Sequence, residues 1–205
     1  MIELVTLINE DLREFAPFNC VENPAKAIYR LYRDTRFSKD KTPYKTHIAA
    51  TFPRTGLPKH SGAGFYFSVS HKTVEVAAGC YMPEPDDIRT LRNAIASDEK
   101  TFLRYTTDRR LIRALGPLQG QKLSRLPKGF ESHSSSPVVE YLKHKQFYWY
   151  IELPPKLALS AKLRKEVLDR FRLLASVVQW MNEALLKARA SSEEEARPVR
   201  PEPMW

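Results

Sequence analysis

A chain of 205 residues, 42% hydrophobic and 11% aromatic, is long enough for one domain with a real core, short for two, and too apolar for a disordered protein. Its formal charge of +9 favours acidic partners: nucleic acid, phosphorylated metabolites or an anionic surface. Seven glycines argue against a Gly-rich phosphate loop, and two cysteines outside any CxxC spacing, Cys20 and Cys80, argue against a disulfide framework or a structural zinc site.

In chain order, Leu4, Val5, Ile8, Leu12 and Phe15 share one face of a helix over residues 2–15, which Pro17 ends. Residues 26–33 alternate as a strand does, with Ile28, Arg30 and Tyr32 on one side and Tyr29, Leu31 and Arg33 on the other. A loop over 34–44 follows, then a strand at Thr46–Phe52 and a Gly/Pro-rich loop. GFYFSVS (64–70) and TVEVAAGCY (73–81), with only His71 and Lys72 between them, predict a hairpin. Pro83-Glu84-Pro85-Asp86 starts a helix, with Asp86 and Asp87 as first-turn acids; Ser97 and Asp98 cap a second; residues 108–115 form a third, stopped by Gly116-Pro117. A helical turn begins at Ser136-Pro137, and QFYWYIEL (146–153) is a strand with Phe147 and Trp149 on one face and Tyr148 and Tyr150 on the other.

The last element has the clearest period. Leu163, Val167, Phe171, Leu174, Val178, Met181 and Leu185 recur every three or four residues, giving a helix of roughly 28 residues, about 40 Å at 1.5 Å per residue. The stripe is regular enough for a dimeric coiled-coil seam, but Phe171, Met181 and the adjacent Trp180 suit packing across the protein's own sheet, so a monomer is favoured. This order predicts an α+β fold: a single domain over 1–189 with a mainly antiparallel or mixed sheet of about five strands, helices packed on one face and a long C-terminal helix, followed by a disordered tail over 190–205.

The chemistry concentrates at Lys26–Lys45. Seven cations (Lys26, Arg30, Arg33, Arg36, Lys39, Lys41, Lys45) and two acids (Asp34, Asp40) give it +5 of the total +9. An anion site needs several donors fixed around one point, and Arg30, Arg33, Arg36, Lys39, Lys41, Tyr44 and Lys45 supply them, with Asp34 placed to orient one guanidinium. The competing reading makes Arg33, Asp34 and Arg36 a network that pins the loop to the sheet. Tyr29, Tyr32 and Phe37 are read as core. Lys143 and Lys145 join the patch only if the last strand lies beside the first. His47, close to the segment, is a candidate acid or base, although a strand histidine with its hydrogen bonds met is the simpler reading. The five histidines show no metal-ligand spacing, so no metal or cofactor is expected.

The run RLYRDTRFSKDKTPYKTHIAA resembles the signature of domain-of-unknown-function family 2461, a family of conserved hypothetical proteins, and the likeness continues through GFYFSVS, GCYMPEP, PKGF and LKHKQF over roughly residues 1–188. Family members usually begin earlier, with an Arg-Glu-Trp-Phe-like segment, so the first helix is expected to be shortened. The resemblance implies no activity and no catalytic residue. The leading expectation is a binding module for a phosphorylated or anionic ligand or nucleic acid. The alternatives are a small enzyme acting on an anionic substrate with Asp34 or His47 as acid or base, and a structural or interaction protein whose Arg–Asp network is purely structural. Acids and Arg13 in residues 1–15 are unlike a signal peptide, and no apolar run of about 18 residues occurs, so a cytoplasmic protein without membrane association is expected.

Overall fold

The computed structural model describes residues 1–34, 36, 37, 39, 41–58 and 61–195; Thr35, Ser38, Asp40, Lys59, His60 and residues 196–205 lie outside the described residues. The chain opens with α1 (Ile2–Phe15), which buries Val5, Ile8 and Leu12 as its period requires. After a 3-10 turn at Pro17–Asn19 comes a four-residue helix, α2 (Pro24–Ala27), begun by Pro24 and capped by the Asn23 side-chain Oδ1, which accepts from the Ala25 N–H at 3.0 Å.

Four antiparallel strands follow the chain's own order: β1 (His47–Phe52), β2 (Gly64–Ser70), β3 (Val74–Cys80) and, after the central helices, β4 (Phe147–Leu153). The β2–β3 hairpin is as expected, with Phe65 opposite Ala78 and Val69 opposite Val74. Among the described residues the sheet has four strands, not about five. The expected strand at 26–33 is replaced by the end of α2 and two isolated bridges, Ile28–Ala50 and Tyr32–Tyr44. The reason lies in its alternation. Ile28 packs against the core, but the next residue on that side is Arg30, whose burial without a partner would cost several kcal/mol, so the chain leaves the sheet.

Between β3 and β4 lie α3 (Pro85–Ser97), α4 (Glu99–Thr106), α5 (Arg109–Leu115) and α6 (Val139–Leu142). Their starts are local side-chain chemistry. Asp98 caps α4 by accepting from the Thr101 N–H at 3.1 Å, and Asp108 caps α5 by accepting from the Arg110 and Leu111 N–H groups. Last comes α7 (Leu163–Glu195), 33 residues and about 50 Å long. It extends six residues past the expected domain end at 189; the rest of the expected tail, from residue 196, lies outside the described residues.

One face of the sheet is the core. Phe52, Phe65, Phe67, Val76, Phe147 and Trp149 are fully buried there, and all seven stripe residues of α7 are buried with them. Phe171 brings its ring to 4.8 Å from Phe65 and 6.3 Å from Phe52, so the stripe packs on the protein's own sheet. Farther along α7, buried polar groups hold the 53–63 loop. Asn182 accepts from the Ala63 N–H at 2.8 Å and donates to its carbonyl at 3.0 Å. Arg189 bonds Ser61 and, at 2.9 Å, Asp87, which also accepts from Ser61 at 2.6 Å. Asp87 is thus a buried partner of α7 as well as a first-turn acid of α3.

Both outer strands are met by segments that are not strands. Tyr29 N–H donates to the Ala49 carbonyl beside β1. Beside β4, Gln119 donates its N–H to Tyr148 at 2.8 Å and its side-chain amide to Tyr150 at 2.8 Å.

Candidate functional site

Beyond Ile28 the basic segment becomes an arm. Arg33 N–H donates to the Pro43 carbonyl at 2.9 Å and Lys45 N–H to the Leu31 carbonyl at 2.8 Å, which ties the outgoing and returning chains together. The Tyr32 and Tyr44 rings lie 5.1 Å apart across this ladder. The base rests on the sheet face opposite the core, where Tyr29 lies 6.4 Å from Tyr66 and the Lys45 ammonium stands 5.4 Å from the Tyr29 ring.

At the outer end, Asp34 makes a local turn. It accepts from the Arg36 N–H at 3.2 Å and takes the Arg36 guanidinium bidentately at 3.0 and 2.7 Å. These bonds hold the Asp34 carboxyl below the usual carboxylate range. Arg33 donates to the Thr42 hydroxyl at 3.0 Å. The Arg36–Asp34 pair therefore shapes the arm from within; among the described residues it makes no bond to the sheet. Arg30, Arg36, Lys39 and Lys41 are exposed, and Arg33 and Lys45 are half-buried.

The aromatic residues correct the sequence reading. Tyr32 is 62% exposed and Phe37 95%, so neither belongs to the core; Tyr44 is 56% exposed. Only Tyr29 is half-buried. The interleaving of aromatics with cations is visible in the sequence; the exposure of Tyr32, Phe37 and Tyr44 is not.

The catalytic candidates stand on different elements. Asp34 is in the arm's exposed turn, and His47 opens β1 opposite Ser70. Lys143 and Lys145 precede β4, which pairs with β3 at the far side of the sheet from β1, so they do not extend the arm's patch.

A second gathering of polar groups lies on the sheet face opposite the core. Period-two alternation and the register put Ser68, Glu75 and Glu152 in one row, with Tyr66, Ala77 and Tyr150 in the next. Glu75 accepts from Ser68 Oγ at 2.7 Å and from Tyr150 Oη at 3.1 Å, and Tyr150 Oη also lies 2.7 Å from Glu152. Burial first, and then the two carboxylates, push the Tyr150 phenol well above its ordinary range. A phenol held protonated in this way braces the strands and is a poor proton acceptor. Alternation of the third and last strands was the available signal for this cluster; the pairing of Glu75 with Glu152 needed the sheet order.

Comparison with curated protein sequences and with solved structures finds no match. The family model described as Conserved hypothetical protein (DUF2461) matches residues 1–180, including the arm, the whole sheet and most of α7. The chain belongs to that family.

Proposed function

We propose that the arm binds nucleic acid, with single strands preferred. The observation that carries this reading is the exposure of Tyr32, Phe37 and Tyr44 among the exposed Arg30, Arg36, Lys39 and Lys41. Cations track the phosphates while aromatic faces stack on unpaired bases, a combination that tolerates any base sequence. A small phosphorylated metabolite fits less well, because it needs donors converging in a concave pocket, whereas the arm offers them along an open surface. Tyr44 belongs to the stacking set; Lys45 and Arg33 support the base of the arm. An acid–base role has weaker support, since Asp34 is engaged by Arg36 and stands apart from His47.

The test is binding of fluorescent single-stranded and duplex oligonucleotides at several salt concentrations. If four arm cations engage a single strand, log K falls against log salt with a slope of about −3; five phosphate contacts on duplex DNA would give about −4 to −5. Phe37→Ala weakens single-strand binding by about 1–3 kcal/mol if the ring stacks. Absence of binding to either oligonucleotide at low salt removes the proposal.

A further inference from the structure

Where α4 and α5 meet the middle of α7, the surface holds a cleft of about 600 Å³, lined among others by Arg104, Arg110, Arg172, Tyr105 and Ser176. That volume lies within the range of small-molecule sites, roughly 300–1,000 Å³.

Two carboxylates also line the cleft, and both are already committed. Asp108 caps α5, accepting from two backbone N–H groups and from the Arg110 guanidinium at 3.2 Å, which holds it ionised below the usual carboxylate range. Asp169 accepts from Lys165 Nζ at 2.5 Å. Arg110 and Lys165 therefore neutralise the acids of the site.

The other two arginines have far less to hold them. Arg172 reaches Glu14 only at 3.4 Å, on a carboxylate 70% exposed, and lies 5.0 Å from the Phe15 ring. Arg104 donates to the Tyr105 hydroxyl at 3.3 Å and lies 5.1 Å from that ring; among the described residues no carboxylate lies within ion-pair distance of it. An exposed arginine is ordinarily left to water. Here two of them border one cleft, with their guanidiniums lying against aromatic rings that limit their freedom.

We propose that this cleft binds a phosphate monoester with an aromatic or apolar body. Arg104 and Arg172 take the phosphate oxygens, Ser176 adds a hydroxyl donor, and the Tyr105 ring with Leu173 receives the body of the ester. Guanidiniums present paired donors that match a phosphate's oxygens, and a dianion draws on both. This site is separate in sequence and in residues from the arm and does not depend on the nucleic-acid reading.

The test is isothermal titration of the full chain with inorganic phosphate and with phenyl phosphate, supported by thermal shift. Phenyl phosphate is expected to bind about tenfold or more tightly than phosphate, through the ring contacts. The R104A/R172A double variant is expected to lose at least about tenfold in affinity for both probes, through the loss of two charge-assisted contacts. Ser176→Trp, an exposed position on α7, fills the cleft with both guanidiniums kept, and is expected to lose binding as well. The arm variant K39A/K41A is expected to bind phenyl phosphate as the wild type does. No binding of either probe by the wild type overturns the proposal, as does undiminished binding by both cleft variants. Equal affinity for the two probes overturns the assigned ester body. Loss of binding in K39A/K41A alone moves the anion to the arm, which overturns the cleft and leaves the arm reading intact.

Discussion

The arm and the outer face of the sheet both combine charge with tyrosine, and they use them in opposite ways. On the sheet, Glu75 is surrounded by Ser68, Tyr66 and Tyr150, so its oxygens are already engaged by the protein. In the arm, Asp34 engages Arg36, while Tyr32, Phe37 and Tyr44 turn to solvent beside Arg30 and Lys39. A polar group satisfied inside the fold stabilises; one turned outward is available to a partner. If the division holds, variants of the sheet and α7 change stability with little effect on binding, and variants of the arm do the reverse.

The largest effect is expected at the core face. Phe171→Ala removes the ring wedged against Phe52 and Phe65 and should cost about 3–5 kcal/mol in chemical denaturation, with the salt slope of oligonucleotide binding unchanged below the unfolding transition. A smaller loss is expected from Asn182→Ala, about 2–3 kcal/mol, because the buried Ala63 N–H then has no acceptor.

The outer face should show itself at alkaline pH. The Tyr150 phenol is raised above its ordinary value of about 10, and that of Tyr66 is raised as well, mainly through burial. A raised folded-state value means that these groups contribute their full stability below about pH 10 and lose it as the pH climbs beyond. The melting temperature of the wild type should fall above that pH, and Tyr150→Phe should fall less steeply. Equal slopes would remove the phenol from the account.

The smallest stability effect belongs to the arm. Phe37→Ala should change the unfolding free energy by less than about 0.5 kcal/mol, as an exposed substitution does, while lowering single-strand affinity. A large loss of stability there would show the ring to be a core residue after all and erase the contrast.

Much of this division was legible in the residues themselves. The α7 stripe, the hairpin at 64–81 and the last strand announce themselves by period, because each element buries one side. The cap at Asp98 is equally local. What escaped was set by competition at longer range. The alternation at 26–33 satisfies a strand's period, yet Arg30 falls on the core side and the sheet rejects it. Whether Tyr32 and Phe37 are buried depends on where the chain goes after Ile28, which no local pattern states. The positions of the cations were readable, and so was Asp34 as the partner of one guanidinium; that the partner is Arg36, within the arm's own turn, was not. The place of β4 beside β3, which separates Lys143 and Lys145 from the arm, is a pairing across more than sixty residues of chain.

The two irregular segments along the sheet's edges bear on how the protein behaves when crowded. An edge strand with free N–H and C=O groups is a template onto which another chain can add, and apolar, aromatic outer strands such as FYWYIEL of β4 are prone to it. Here Tyr29 and Gln119 occupy backbone positions on the outer strands. Gly120 allows the close approach beside β4: with φ of 132°, it passes where a Cβ would stand 2.5 Å from the Gln146 carbonyl oxygen. Copies brought close together would meet through blunted edges, which disfavours their joining sheet to sheet.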